Sequence, residues 1–273
     1  MKRALQWVAS AVVAAVFLAP LLWLLAASLV PTDQVFRGGW ARLFFDGGWT
    51  LTNYASAWRR AALARSLAVS IFQATVIGGL GLVVNSLAAY AFARLRFRGR
   101  EALFAVVVAL LILPIEVLVV PLLLTVRGLG LTGGATALAG LTLPFVAKAF
   151  NVYFLRQHFL SVPRELEEAG ALDGASSWRQ FWDIALPSVR PALVTVLVLD
   201  LLMHWGDFLW PLVISTRAET RTVQLGLASL FTEPPIDWGA IMACAVVTTL
   251  PVIGLFRVLE RFVVATDPRA GLR

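Results

Sequence analysis

The chain has 273 residues, of which 59% are hydrophobic and only 14% charged, with a mean hydropathy of +0.82. A soluble domain carries about 25% charged residues, so a water-soluble globular protein is excluded and an all-α integral membrane protein is indicated. The net charge of +7 does not argue for nucleic acid, because the basic residues flank apolar runs, as the positive-inside rule expects. One cysteine, Cys244, leaves no disulfide within the chain and no cysteine metal site.

The chain opens on Met1-Lys2-Arg3 and then carries no charge from Ala4 to Thr32. That run is too long for the apolar region of a signal peptide, so a first span over about 5–30 is predicted, its N-terminus in the cytosol. Ala26-Ala27-Ser28 loosely matches a cleavage site, which makes processing the lesser alternative. Residues 31–65 form an outer segment with Gly38-Gly39, Gly47-Gly48 and several charges, Arg42 among them. A second span, 67–92, contains Asn85 and runs into Arg94, Arg96, Arg98 and Arg100, the clearest cytosolic mark in the chain.

A third span, 102–124, holds Pro114, Glu116 and Pro121, and an outer glycine-rich turn follows. The fourth, 135–155, carries Lys148 and Asn151. A polar loop, 156–190, separates it from the fifth, 191–214, which contains Asp200, His204 and Asp207. A sixth, 238–258, leads to the tail. Six spans in one domain over 1–273 put both termini and the polar loop inside. Fourteen Lys and Arg then lie in inner segments and eight in outer ones. Lys148 is expected to snorkel to the inner interface, and Trp210 and Trp238 to anchor at span ends. Cys244 is expected to be packing. Asn85 suits either an interhelical hydrogen bond or the translocation path, and Glu116 either the path or pairing with another helix.

The polar loop is the most informative stretch. Pro163 suits a helix start, with Glu165, Glu167 and Glu168 after it on the positive helix end. Asp173-Gly174 signals a turn. Ser177 and Gln180 have capping-box spacing for a second short helix, and Pro187 is expected to end it. Trp178, Phe181, Trp182 and Ala185 fall on one helix face. Small residues, Ala169, Gly170, Ala171, Gly174 and Ala175, make the elbow thin enough for close approach by a partner.

Glu168-Ala169-Gly170, Asp173-Gly174-Ala175, Phe181, Ile184 and Leu186-Pro187 resemble the EAA loop of ABC-importer permeases, with Gly170 in place of the second alanine. Thr50 to Tyr54, Leu113 to Val117 with Pro121, Phe154 to Gln157, and Trp205 to Leu212 are similar to sugar-type permeases, the maltose-type second permease subunit in particular. Gly206 replaces the usual asparagine, and the tail, Ala265 to Arg273, departs from the glycine-rich ending. The resemblance implies a type I ABC-importer permease architecture in a bacterial or archaeal cytoplasmic membrane. It further implies a second, homologous permease subunit, two copies of an ATP-binding subunit and an extracytoplasmic solute-binding protein. Coupling to the ATPase would run through Glu168, Ala169, Gly170, Asp173, Gly174, Ala175, Phe181 and Pro187.

The chain has no phosphate-binding loop ending in Gly-Lys-Ser/Thr, since Lys2 precedes Arg3 and Lys148 precedes Ala149. No cofactor is expected in this chain, and ATP falls to a partner. Ser176 lacks the closing glycine of a nucleophile elbow, and neither histidine lies in a zinc-protease pattern, so an enzyme is not expected. Asp200, His204 and Asp207, at i, i+4 and i+7, would share a helix face, and an ion-coupled carrier using that stripe is the alternative. A self-driven carrier has no need of a docking elbow. The stripe, with Asn85 and Glu116, is the candidate translocation path.

Overall fold

The computed structural model describes residues 2–37, 39, 48–215 and 217–264. The expectations for Gly38, Arg42, Gly47 and the tail Ala265–Arg273 lie outside the described residues. Those described are helical or irregular, with no strand among them. In chain order the α-helices are α1 (Lys2–Ser28), α2 (Thr52–Arg60), α3 (Leu63–Arg94), α4 (Arg100–Leu110), α5 (Ile115–Gly128), α6 (Ala137–Thr142) and α7 (Ala149–Ser161). After these come α8 (Arg164–Leu172), α9 (Ser177–Gln180), α10 (Leu186–Ser188), α11 (Arg190–Trp205), α12 (Leu209–Ile214), α13 (Val223–Ser229) and α14 (Trp238–Val264).

Among the described residues three helices are long and apolar enough to cross a membrane: Leu5–Ser28, Leu63–Arg94 and Trp238–Arg257. Three further crossings are possible only as bent pairs: α4 with α5 at 110°, the segment 137–145 with α7 at 42°, and 177–188 with α11 at 78°. None of the predicted spans 102–124, 135–155 and 191–214 is one continuous α-helix: they are interrupted at 111–114, 143–148 and 206–208. The break before α5 follows from Pro114, which lacks an N–H and drives Leu113 out of the helical region. Helix α3 has no charge between Arg65 and Arg94, and its 32 residues give a length of about 48 Å. That exceeds a hydrocarbon core of about 30 Å, so its charged ends reach beyond the apolar layer.

The chain forms two compact units: residues 1–69 with 221–254, and residues 70–220 with the chain after 254. In the first, most of α1 is bare. Leu5, Trp7, Val8 and Phe17 are all exposed, so lipid or another subunit must cover them. Ala26 and Ala27 at its C-terminal end, with Val30 and Val35 just after it, pack against Trp23, Trp238 and Met242.

A polar knot sits beside that cluster. The Asn53 amide donates to the Ser28 and Val30 carbonyls at 2.9 and 2.7 Å, capping the end of α1. Asp237 accepts from the Thr32 hydroxyl, from Ser56 Oγ at 2.8 Å and from the Ala240 amide at 3.0 Å, with Arg60 at 3.8 Å. Burial pushes its carboxyl up, but the bonds from Thr32, Ala240 and Ser56, with Arg60, outweigh burial and hold it below the ordinary carboxylate value.

In the second unit a buried apolar core joins three of the long helices to the polar loop. Ala89, Tyr90 and Ala93 of α3 pack with Leu155 and Phe159 of α7, Phe181 and Ala185 of the loop, and Val196 of α11. Tyr90 lies 5.6 Å from Phe159 and 5.1 Å from Phe181 between ring centres. This core ties the polar loop to the spans on either side of it.

Candidate functional site

The site begins with a gap in a helix. Pro144 lies in a tight turn, 143–145, and the helix restarts only at Ala149, with Lys148 in extended backbone. The Val146 carbonyl and the Lys148 amide are thus outside the helical ladder and need partners from elsewhere. Asn85 of α3 fills the gap. Its Nδ2 donates to the Val146 carbonyl and its Oδ1 accepts from the Lys148 amide, both at 2.9 Å. One side-chain amide replaces two lost backbone partners.

Two side chains from the break then reach α11. Lys148 Nζ meets Asp200 Oδ1 at 2.5 Å, and Asn151 Nδ2 donates to Asp200 Oδ2 at 2.7 Å. Asp200 and Asn151 are buried, while the Lys148 side chain keeps 17% of its surface exposed. A buried carboxylate persists only when paired and hydrogen-bonded, and both of its oxygens are used here. Lys148 therefore does not snorkel: a carboxylate within reach holds its ammonium more strongly than a distant interface would.

The predicted stripe is corrected as well. Helix α11 ends at Trp205 with Gly206 as its cap, so Asp207 is off the helix that carries Asp200 and His204. Asp207 instead accepts from the Trp210 amide at 3.4 Å, at the start of α12. His204 is buried one turn after Asp200, its ring 5.4 Å from Phe145, with Asp207 Oδ2 3.9 Å from Nδ1. Neither ring nitrogen has a hydrogen-bond partner among the described residues. Glu116 is separate from this group, exposed in the first turn of α5. Trp210 is buried and donates to the Gly140 carbonyl at 3.3 Å, so it is core and not an interface anchor. Cys244 is fully buried.

The elbow follows its sequence pattern with local shifts. Helix α8 ends at Leu172, and Gly174 turns the chain at φ +81°, a conformation that penalises any side chain. A Cβ there would meet nothing within 4 Å, so conformation and not crowding requires this glycine. Gly170 differs: a Cβ would come within 2.6 Å of Ile184 Cδ1, so alanine fits only if that flexible side chain moves.

The cap of α9 is Ser176 and not Ser177, its hydroxyl accepting from the Arg179 amide, while Gln180 donates to the Ala175 carbonyl. Pro187 does not end the helix. A wide turn over 181–185 carries the chain into α10, where Pro187 takes an early position that needs no N–H. The aromatic face splits. Phe181 and Ala185 enter the core, whereas Trp178 and Trp182 remain exposed with Leu166 and Leu172. Glu168, Ala169 and Asp173 are exposed and Ala175 is half-buried.

Two anchors of the elbow were not predicted. Arg94 forms an ion pair with Glu167 at 3.1 Å and donates to the Val162 carbonyl. Arg156 lies over the Phe104 ring at 3.9 Å and donates to the Phe92 carbonyl. The loop's first helix is thereby fixed to the end of α3.

A model of the inner-membrane component of binding-protein-dependent transport systems matches residues 78–271. The chain belongs to this family. It is a permease subunit of an ABC importer, and the matched region contains both the polar break and the elbow. The permease is 32% identical over 255 residues to the arabinooligosaccharides transport system permease protein AraQ of Halalkalibacterium halodurans, covering 93% of this chain and 90% of the relative. It is 30% identical to the diacetylchitobiose uptake system permease protein NgcG of Streptomyces coelicolor, over 94% and 85%. The fold is that of a chain in a bacterial ABC transporter involved in import of the acidic polysaccharide alginate. The TM-score is 0.80 at 22% identity, over 95% of each chain.

Proposed function

We propose that this permease forms part of the translocation path for a sugar or sugar-like solute. Similarity over nine-tenths of the chain to permeases named for oligosaccharide uptake carries this reading. The bent pairs count as single crossings, giving six spans with both termini in the cytosol, in agreement with the basic loop at 94–100. A second, homologous permease subunit covers the bare apolar faces. Two copies of an ATP-binding subunit dock on the loop 161–191, and an extracytoplasmic binding protein delivers the solute.

The exposed Leu172, Trp178 and Trp182 beside Glu168 give the loop an apolar contact with a charge at its rim, as a docking surface needs. ATP-driven closure then moves the elbow. Because Phe181 and Ala185 are buried among α3, α7 and α11, the motion passes directly into spans that flank the path. Asn85 and Asp200 tie α3, the break before α7 and α11 together as they move, while Glu116 and Asp207 stay accessible to the solute. The ion-coupled alternative is set aside, since its stripe is interrupted at Gly206 and Asp200 is already committed to Lys148.

The test is co-purification of the ATP-binding subunit with Glu168→Lys, followed by uptake in vesicles. The expected result is loss of at least tenfold in uptake with the spans still inserted, and a smaller loss in Glu168→Ala, because repulsion adds to the lost contact. Wild-type retention and uptake in Glu168→Lys would remove the docking role. An introduced cysteine at 98 that an impermeant reagent labels on intact cells would overturn the orientation.

A further inference from the structure

At the junction of α3, α4 and α8 lies an open cleft of about 550 Å³, lined by Arg94, Arg96, Arg100, Arg164, Glu101 and Phe97. Its four guanidinium groups come from two parts of the chain some seventy residues apart, so more than one run of basic sequence builds it. Two are already occupied: Arg94 by Glu167 and the Val162 carbonyl, and Arg100 by Glu101 and the Leu95 carbonyl. Arg96 and Arg164 have no hydrogen-bond or ion-pair partner among the described residues.

The cleft also contains the start of α4, an eleven-residue helix. Gly99 precedes it at φ +81° with no side-chain cap, which leaves the Glu101 and Ala102 amides unpartnered at the positive helix end. Two free guanidinium groups beside uncapped amides form a site for a tetrahedral oxyanion, since guanidinium binds phosphate oxygens in bidentate fashion. The half-exposed Phe97 ring gives one apolar wall. Only Glu101 contributes negative charge to the lining, and Arg100 compensates it.

We infer that this cleft binds a phosphate ester, either the head group of an anionic phospholipid or a soluble phosphate compound. The inference depends on the topology proposed above only for which leaflet supplies the lipid. The binding itself does not depend on orientation.

The test uses the full transporter complex in detergent, with native mass spectrometry reading retention of phosphatidylglycerol against phosphatidylcholine. Wild type is expected to retain phosphatidylglycerol selectively, and Arg96→Gln/Arg164→Gln to lose about tenfold or more of that affinity. Arg98→Gln removes the same charge from the same loop outside the cleft and should change little. If inorganic phosphate displaces the lipid at matched concentration, the natural ligand is the soluble ester and the site stands. If it does not, the ligand is lipid. Undiminished selectivity in the double variant, or an equal loss in Arg98→Gln, would overturn the site. Should the double variant fail to assemble, each single Gln variant is expected to show an intermediate loss, and two unchanged single variants would overturn it equally. Labelling of the 94–100 loop from outside would sink the topology while leaving these binding results intact.

Discussion

Replacing Asn85 by Leu tests whether one side chain holds the break in the fourth hydrophobic segment. The two residues are close in size, so the change removes polarity without opening a large cavity. It leaves the Val146 carbonyl and the Lys148 amide without the side-chain partner that each bonds at 2.9 Å. Each lost bond is worth about 1 kcal/mol net, and each orphaned backbone group adds a desolvation penalty of similar size or more. Relaxation of the break recovers part of this, so the expected loss is about 2–4 kcal/mol. The control is Ser86→Ala, next in sequence and also buried, whose hydroxyl bonds only carbonyls of its own helix at Leu82 and Val83. Removing that hydroxyl costs about 1 kcal/mol or less, because the carbonyls keep their helical partners. The assay is denaturant titration of the purified permease in detergent, with uptake in vesicles alongside. If Asn85→Leu costs no more than Ser86→Ala, the Asn85 amide does not support the break and the account of the site is wrong.

Lys148→Met should destabilise by about 1–3 kcal/mol, less than a fully buried pair because Lys148 is partly exposed, and Asp200→Leu by a similar amount. The double variant should recover at least half of the summed loss in a double-mutant cycle, and strict additivity would refute a direct pair. Gly174→Val should cost about 1–2 kcal/mol through the positive φ alone, with the elbow loosened and ATP hydrolysis uncoupled from uptake. A simultaneous assay of hydrolysis and uptake checks this, and unchanged coupling would refute it. For Asp237 the folded carboxyl lies below its ordinary value, so its contribution is complete above that value and disappears as pH falls through the lower folded value. Acid unfolding of wild type should therefore steepen below about pH 4, a step that Asp237→Asn should lack, and superimposable profiles would count against the knot.

The long apolar runs and the elbow could be read from sequence because both depend on local chemistry. A run without charge from Ser66 to Ala93 has few alternatives to a buried helix, and Asp173-Gly174 specifies a turn whichever partners surround it. The breaks inside spans were hidden because hydropathy sums composition and does not register direction. Proline did not reveal them. Pro114 and Pro144 accompany breaks, whereas Pro20, Pro121 and Pro251 lie inside continuous helices. At the second break the freed groups of Val146 and Lys148 find their partner in Asn85, some sixty residues away, which no reading of the local sequence shows.

The Lys148–Asp200 pair carried a fainter signal: two opposite charges in separate, otherwise largely apolar segments. Reading each residue within its own segment sent Lys148 to the interface and Asp200 into a stripe with Asp207. Seeing them together required asking which intramembrane charges could cancel each other, a question about cost in hydrocarbon and not about spacing along one helix. The same reasoning explains why the anchors of the elbow, Arg94 with Glu167, were missed. Arg94 belongs to a run whose topogenic role accounts for its charge, and only its geometry separates it from Arg98 in the same loop. Charge counts set the orientation of such a chain, while the partner of each charge decides which segments move together.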